Sequence, residues 1–252
     1  MLKIFLLGII AVGCCVNFAF AQVEFQGIYW VTDLTAKAKV VESSIGTDFN
    51  FKSDLGVKDE DFTEARFIWY RGENSKIRFT YTKANYRGEQ DITRPIEFKG
   101  KTYSASTRVK SELDIQYFRL GWINQFMNLL DEKIKIGTIV ELKGVTSDIL
   151  LETPNISPAI NESESFIGGL PTIGAALELK PIEQIGLFAE ISGLPAGKYG
   201  HFFDAEAGAK ITPIKYLSLS LGYRIIDIKA DDDPNFIKMK LTGPFFSGTL
   251  NF

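Results

Sequence analysis

The segment Leu217-Ser-Leu-Ser-Leu-Gly-Tyr223 alternates strictly between apolar residues and small or polar ones. Successive side chains of a β-strand point to opposite faces, so this segment predicts a strand with one apolar and one polar face. The same two-residue period recurs over 173–179, 134–140 and 77–81, and no comparable stretch has the period of an amphipathic helix. The sequence therefore predicts an all-β protein.

The connections between these segments alternate in length. Short polar turns lie at 72–75, 181–184 and 213–216, and a somewhat longer one lies near 127–132. Longer and more polar links occupy 41–61, 91–101, 151–165, 193–198 and 231–235. Short turns at one end and long loops at the other are typical of outer-membrane β-barrels.

About ten strands remain between these links. Their predicted ranges are 24–40, 62–71, 76–90, 103–126, 133–150, 166–180, 185–193, 201–212, 217–230 and 236–252. An even number returns both termini to one side, as closure of a single-chain antiparallel barrel requires. Eight or twelve strands stay open as alternatives, because the first strand and the segment 96–103 are ambiguous.

The first 21 residues indicate export. Lys3 precedes an apolar run that ends on Ala19-Phe20-Ala21, which is typical of a cleaved secretory signal. We place the signal at 1–21 and one barrel domain at 22–252. An uncleaved anchor and lipidation at Cys14 are the alternatives. No run of eighteen apolar residues follows residue 21, so a membrane-spanning domain must be a closed barrel, which pairs its own backbone groups.

Composition excludes several functional classes. The formal net charge is −3, which gives no electrostatic reason to expect nucleic acid as a partner. The two cysteines, Cys14 and Cys15, lie within the predicted signal, so no thiolate metal site or cysteine nucleophile is expected beyond it. The acidic turn 231–235 lacks the spaced oxygen ligands of a calcium loop. We therefore expect no metal and no cofactor.

Assigning the apolar face to lipid places the other face in the lumen. The charged residues predicted there are Glu64, Arg66, Arg78, Glu112, Asp114, Glu141, Lys143, Glu178, Glu190, Asp204, Glu206, Lys210 and Arg224. Buried charges of both signs have to pair. They would form either a salt-bridged plug or the lining of a thin pore or small cavity, and a wide porin is excluded by the strand number.

Two functional classes follow from this architecture. The first is a structural or interaction barrel, with at most limited passage of small solutes, and it is not an enzyme. The alternative is an outer-membrane hydrolase of lipid or peptide centred on His201, which is the only histidine. Strand geometry places no serine beside His201, and Asp204 and Glu206 lie near it only in sequence.

The C-terminus carries a resemblance to a known group. Thr249-Leu-Asn-Phe252 ends a strand on an aromatic residue, with Leu250 on the same face as Phe252. This ending resembles the assembly signal of the small outer-membrane barrels of the OmpA, OmpX and OmpW group. The segments 53–56, 96–103 and 197–208 resemble a further group of small outer-membrane barrels.

These resemblances imply a bacterial outer-membrane location but no particular activity. They also imply outer-membrane lipid as a partner, with the barrel-assembly machinery and periplasmic chaperones taking part in biogenesis. The sequence names no extracellular partner.

The resemblance generates a test of assembly. Changing Phe252 to Asp is expected to reduce insertion into the outer membrane strongly while export and signal cleavage continue. The reason is that Leu250 and Phe252 form the proposed assembly signal on the lipid-facing side. Membrane fractionation with surface proteolysis measures the effect, and normal surface levels of Phe252→Asp would contradict the assignment.

Overall fold

The computed structural model describes residues 22–42 and 46–252, so the predicted signal at 1–21 lies outside the described residues. These residues form fourteen β-strands and one short 3-10 helix at Gly197–Tyr199. The strands are β1 (Val23–Trp30), β2 (Asp33–Lys39), β3 (Phe49–Asn50), β4 (Phe62–Tyr70), β5 (Ser75–Asp91), β6 (Ile96–Phe98), β7 (Lys101–Tyr103), β8 (Arg108–Leu129), β9 (Ile134–Glu152), β10 (Asn161–Ile182), β11 (Ile185–Pro195), β12 (Gly200–Ile214), β13 (Leu217–Asp232) and β14 (Asn235–Asn251). No helix in these two ranges is long and apolar enough to cross a membrane.

The wall of the molecule is a closed antiparallel barrel of ten strands. β1 and β2 both pair with β14 and act as one wall strand, followed by β4, β5 and β8 to β14. The pairing of β1 with β14 closes the sheet. The predicted all-β fold and the strand number are therefore confirmed.

The first wall strand is interrupted for a local reason. Val31 donates its N–H to the carbonyl of Pro244 at 3.0 Å, but proline has no N–H to return. The ladder therefore breaks at residues 31–32, although the register with β14 is the same on both sides of the break. The predicted strand 24–40 is accordingly two strands, and the predicted strand 103–126 begins only at Arg108.

The two faces of the wall change character with height. Near the turn end of β8, Arg119 points inward and Phe118 and Leu120 point outward. Near the loop end of the same strand, the inward residues are apolar, as at Leu113, and the outward residues are charged, as at Lys110. Inward and outward residues alternate without interruption along β8, so the change does not come from a switch of the two faces. It comes from a difference in what surrounds the wall at the two heights. We interpret the apolar outward band as the lipid contact and the charged upper wall as standing in water.

Two of the long links fold inward in part, whereas residues 154–159 and 232–234 of two others are exposed. Residues 49–57 and the β6–β7 hairpin fold into the upper lumen, where Phe49, Phe51, Leu55, Phe98 and Tyr103 are fully buried. The rings of Phe49 and Phe51 lie 5.2 Å apart, and those of Phe49 and Phe98 lie 5.9 Å apart in an edge-on arrangement. These inward segments form an apolar lid over the barrel, which sequence periodicity did not predict.

The height-dependent faces generate a stability test. Leu221 points outward within the apolar band, so Leu221→Arg is expected to destabilise the folded barrel by about 2–4 kcal/mol. Gln116 also points outward but lies among polar residues of the upper wall, so Gln116→Arg is the matched control and should cost less than about 1 kcal/mol. The urea midpoint of folding into lipid vesicles measures both. Equal losses would mean that the assignment of the lipid band is wrong.

Candidate functional site

A layer of charged side chains crosses the lumen at the height of the apolar outward band. The cations are Arg66, Arg78, Arg119, Lys143 and Arg224, and all are buried. The carboxylates are Glu64, Glu141, Glu190, Asp204 and Glu206, and all but the partly exposed Glu190 are buried. Five positive and five negative groups balance, so the layer carries no formal net charge. We call this set the charged layer.

The sequence builds this layer through the period of the strand. Glu64 and Arg66 are two residues apart on β4, and Glu141 and Lys143 are two residues apart on β9. Residues at this spacing share a face, so each pair projects into the lumen. On neighbouring strands Glu206 lies opposite Arg224, but Arg119 lies opposite Lys143. Most opposite charges therefore meet across the lumen, as Arg66 does with Glu206, because the interior is too narrow for them to stay apart.

Arg224 and Arg66 make forked contacts on one side of the layer. The Arg224 guanidinium donates to both Asp204 oxygens at 3.1 and 2.9 Å and to Glu64 at 2.7 Å. Arg66 donates to both Glu206 oxygens at 2.9 and 3.0 Å and to Glu64 at 2.9 Å. Such bidentate pairs fix geometry because the planar guanidinium matches the carboxylate.

Arg78 and Lys143 organise the other side. Arg78 donates to Glu141 at 2.8 Å and to Glu190 at 2.6 Å. The Lys143 ammonium lies 3.2 Å from Glu141 and 3.3 Å from Asp204, so it joins the two sides through shared carboxylates. The layer is thus one connected network rather than a set of separate ion pairs.

Arg119 lies at the centre of the network and was missed by the sequence analysis. It contacts Asp204 at 3.1 Å and approaches Glu141 and Glu206 at 3.9 Å each. In the sequence, Arg119 lies between Phe118 and Leu120, so it is a single charged residue within an apolar stretch and does not stand out as part of a charged cluster. The two-residue period nonetheless places it on the inward face.

Aromatic side chains cover the charged layer on the side of the lid. The Tyr117 hydroxyl donates to Asp204 at 3.1 Å, and the Tyr117 ring stacks on Phe202 at 6.0 Å. The Arg224 guanidinium lies 5.1 Å from the centre of the Trp30 ring, within range of a cation–π interaction. These rings close the boundary between the charged layer and the apolar lid.

A second, smaller set of polar contacts lies toward the turn end. Lys76 lies 2.5 Å from Glu178, and Tyr70 donates to Glu24 at 3.0 Å. Lys210 lies 3.7 Å from the same Glu24 and is partly exposed. The predicted lumen residues Glu178 and Lys210 therefore lie inside the barrel but outside the charged layer.

Two predicted lumen residues lie on the other face. Glu112 and Asp114 occupy outward positions of β8, where Glu112 lies 3.4 Å from the exposed Arg87 and Asp114 accepts from Asn85. The prediction is wrong for both because it assumed that polar positions face the lumen along the whole strand. This part of β8 stands above the apolar band, where water surrounds the wall and the apolar side chains point inward.

His201 also lies on the outward face, with its side chain 41 % exposed. Its Nε2 atom is 3.0 Å from the Asp227 carboxylate on the adjacent strand β13. Asp204 and Glu206, its neighbours in sequence, point into the lumen. Within 22–42 and 46–252, no three His, Cys, Asp or Glu side chains group closely enough to hold a metal ion.

The C-terminal residues Leu250 and Phe252 lie on the outward face and are about half exposed or more. Phe252 donates its N–H to Val23 at 2.9 Å and accepts from Val23 N–H at 3.2 Å. Its ring packs edge-on against Phe25 at 6.1 Å. The last residue therefore contributes to the seam that closes the barrel, while its role as an assembly signal stays a prediction.

Comparison with solved structures places the fold among outer-membrane barrels. The outer-membrane protease OmpT of Escherichia coli superimposes with a TM-score of 0.62 at 9 % identity, over 95 % of this chain and 99 % of that one. The translocator domain of the autotransporter NalP of Neisseria meningitidis reaches 0.45 at 10 % identity, over 100 % and 95 %. The Ail protein of Yersinia pestis, in complex with a heparin analogue, reaches 0.40 at 10 % identity, over 92 % and 99 %.

No family model matches the chain, and no curated protein matches it. At such identities, a structural likeness establishes the fold and leaves the activity open. The closed ten-stranded wall and the likeness to OmpT define the class: the chain is a β-barrel of the bacterial outer-membrane type.

The network generates a test with a matched control. Arg119→Met removes the central cation and leaves Asp204 and Glu141 with fewer partners, so a loss of about 3–5 kcal/mol of folding stability is expected. Arg87→Met removes the same kind of side chain from an outward site that is 70 % exposed, and should change stability by less than about 0.5 kcal/mol. Urea unfolding in vesicles measures both, and a negligible effect of Arg119→Met would contradict the network.

Proposed function

We propose that this protein is a sealed outer-membrane barrel that acts through its extracellular surface and does not conduct solutes. The observation that carries this proposal is the charged layer, in which every cation contacts at least two carboxylates. A passing ion would have to separate these pairs, and a charge left without its partner in a buried site costs several kcal/mol.

The lid provides a second and independent barrier. Above the charged layer, the lumen contains the buried apolar side chains of the β6–β7 hairpin and of residues 49–57. An apolar cavity just above the charged layer has a volume of about 20 Å³ and is lined by side chains such as Trp30, Phe62 and Leu241. This volume suits about one water molecule, so it offers no continuous path for a solute.

Ion pairs also tie the loops of the lid to the wall and to one another. Lys52 lies 2.6 Å from Asp33 and 2.7 Å from Asp59, and Arg94 lies 2.7 Å from Asp54. Partial burial raises the pKa of the Asp54 carboxyl, but hydrogen bonds from Arg94 and from the Asn50 amide outweigh it and hold this pKa below its usual value. An ordered lid presents a defined outer surface, which supports an interaction role.

We also propose that the protein is not an enzyme. A hydrolase centred on His201 needs a nucleophile or an activated water beside the imidazole. His201 pairs with Asp227 on the outward face, and its side chain has no hydrogen bond to a serine or threonine in the described part of the chain. The hydrolase alternative predicts that His201→Ala abolishes hydrolysis of lipid or peptide substrates, whereas our proposal expects no such activity in the unaltered protein.

Planar bilayer recording tests the sealed lumen. The unaltered protein is expected to show no unitary conductance in potassium chloride, because both the charged layer and the lid block the lumen. The positive control replaces residues 92–107 by a two-residue turn, which the pairing of Asp91 with Arg108 permits, and changes Arg78 and Arg119 to Ser. It also changes Phe49, Phe51 and Leu55 to Ser, because these side chains form the rest of the lid. This variant should conduct. Steady conductance from the unaltered protein would overturn the proposal.

A further inference from the structure

The barrel wall has one long free edge. β10 pairs with β9 from Asn161 to Leu179, but it pairs with β11 only from Ile173 onward. Residues 161–172 of β10 therefore have no strand partner on their second side among the described residues. The corresponding upper edge of β5 is partly covered, because Val57 bridges to Gly88 and the Lys58 N–H donates to the Arg87 carbonyl.

The register shows which backbone groups of β10 are free. Lys180 donates its N–H to the carbonyl of Lys133, just before β9, and Thr153, just after β9, donates to the carbonyl of Ile160. Even-numbered residues of β10 therefore bond toward β9. In an antiparallel ladder, the odd-numbered residues between them direct their N–H and C=O groups to the opposite side of the strand, away from β9. The odd-numbered residues 161, 163, 165, 167 and 169 thus present N–H and C=O groups along the free edge. The Lys99 ammonium already reaches one of them, the Ser163 carbonyl, at 2.8 Å.

An exposed apolar side chain marks the middle of this edge. Ile167 points outward and is 84 % exposed, the highest value for a large apolar side chain in the described residues. Its outward neighbours on β10 and β9 are small or polar: Ser165, Gly169 and Thr146. Ile167 therefore lies above the lipid band, and lipid does not account for its exposure.

A carboxylate without an ionic partner lies near the upper end of the edge. Glu162 forms no ion pair within the part of the chain that the structure describes, whereas Glu164 is paired with Lys99 at 3.2 Å. Glu162 lies five residues before Ile167, so the two side chains belong to opposite faces of the strand. The edge thus carries one apolar contact and one negative charge at a fixed spacing.

We propose that the free edge 161–172 binds an extended peptide segment of another protein by strand addition. This inference rests on the proposed surface role and names its site and the chemistry of its partner. A segment that runs antiparallel to β10 would place an apolar residue beside Ile167 and, five positions further on, a basic residue opposite Glu162. Main-chain hydrogen bonds would supply affinity and these two side chains would supply selectivity.

A second copy of this chain in the same membrane fits the edge poorly. Barrel strands tilt by about 35–45° from the membrane normal. Two upright copies related by an axis along the normal would bring their β10 strands together at about twice that angle. Strands crossing so steeply cannot pair over twelve residues, which favours a segment that is free to align with the edge.

A synthetic twelve-residue peptide tests the proposal. The probe alternates valine and threonine and carries one lysine, five positions after the valine that falls opposite Ile167. Binding to the full-length protein in lipid nanodiscs, followed by fluorescence anisotropy, is expected in the micromolar range. The same peptide with N-methyl groups on the residues that bond to β10 cannot form the ladder, and it should not bind.

Variants of the protein identify the edge. Gly169→Pro removes a free N–H without removing a bond to β9, and should weaken binding about fivefold or more. Gly169→Ala keeps that N–H and is the matched control, expected to bind as the unaltered protein does. Glu162→Gln should weaken binding by about twofold to threefold. Heat-modifiable migration confirms that each variant has folded.

Two outcomes would overturn the inference: no binding of the probe to the unaltered protein, or equal binding of the probe and its N-methylated form. Either result would leave the sealed barrel intact as a proposal, because bilayer conductance of the same preparation tests it separately. If the unaltered protein conducted ions and also bound the probe at residues 161–172, the proposal of a sealed lumen would be overturned and the proposal of peptide binding at this edge would stand.

Discussion

The structure depends on one constraint: backbone N–H and C=O groups in hydrocarbon have no water to bond and must pair within the protein. The alternating strands meet this constraint by closing on themselves through the pairing of β1 with β14. Closure fixes the direction of every side chain, because alternate residues must face outward or inward along each strand. The other features of the structure depend on whether each face of the wall contacts lipid, water or the lumen at a given height above the turn end.

A closed wall of ten strands leaves a narrow interior that side chains nearly fill. Within the membrane band, the outward positions must be apolar, and the inward positions of this chain hold balanced charges. Above the band, the outward positions meet water and the inward positions are free to be apolar, so the loops can fold in as a lid. The same pleat thus supports two kinds of core, one ionic and one apolar. The free edge of β10 arises because β11 is shorter than its neighbour.

Period and turn spacing predicted the barrel and its strand number, because both are local properties of the sequence. They also placed residues such as Arg224 in the lumen, because every second residue along a strand faces inward and these positions can be counted from the sequence. They failed for Glu112 because the alternation of residues does not show which part of a strand lies above the lipid, where polar side chains face outward. They missed Arg119 because its neighbours are apolar. The inward lid depends on contacts between distant residues, such as Phe49 with Phe98, which no local pattern encodes.

If the charged layer seals the lumen, no water path crosses the barrel through it. Thr80 points into the lumen on the strand that carries Arg78 and is fully buried, and Thr80→Cys changes its shape little. The account predicts that this cysteine resists a membrane-impermeant, cationic thiol reagent added to either side of the membrane. A cysteine in place of the exposed Ser104 should react quickly in the same experiment. Rapid labelling at position 80 in the folded barrel would contradict the account.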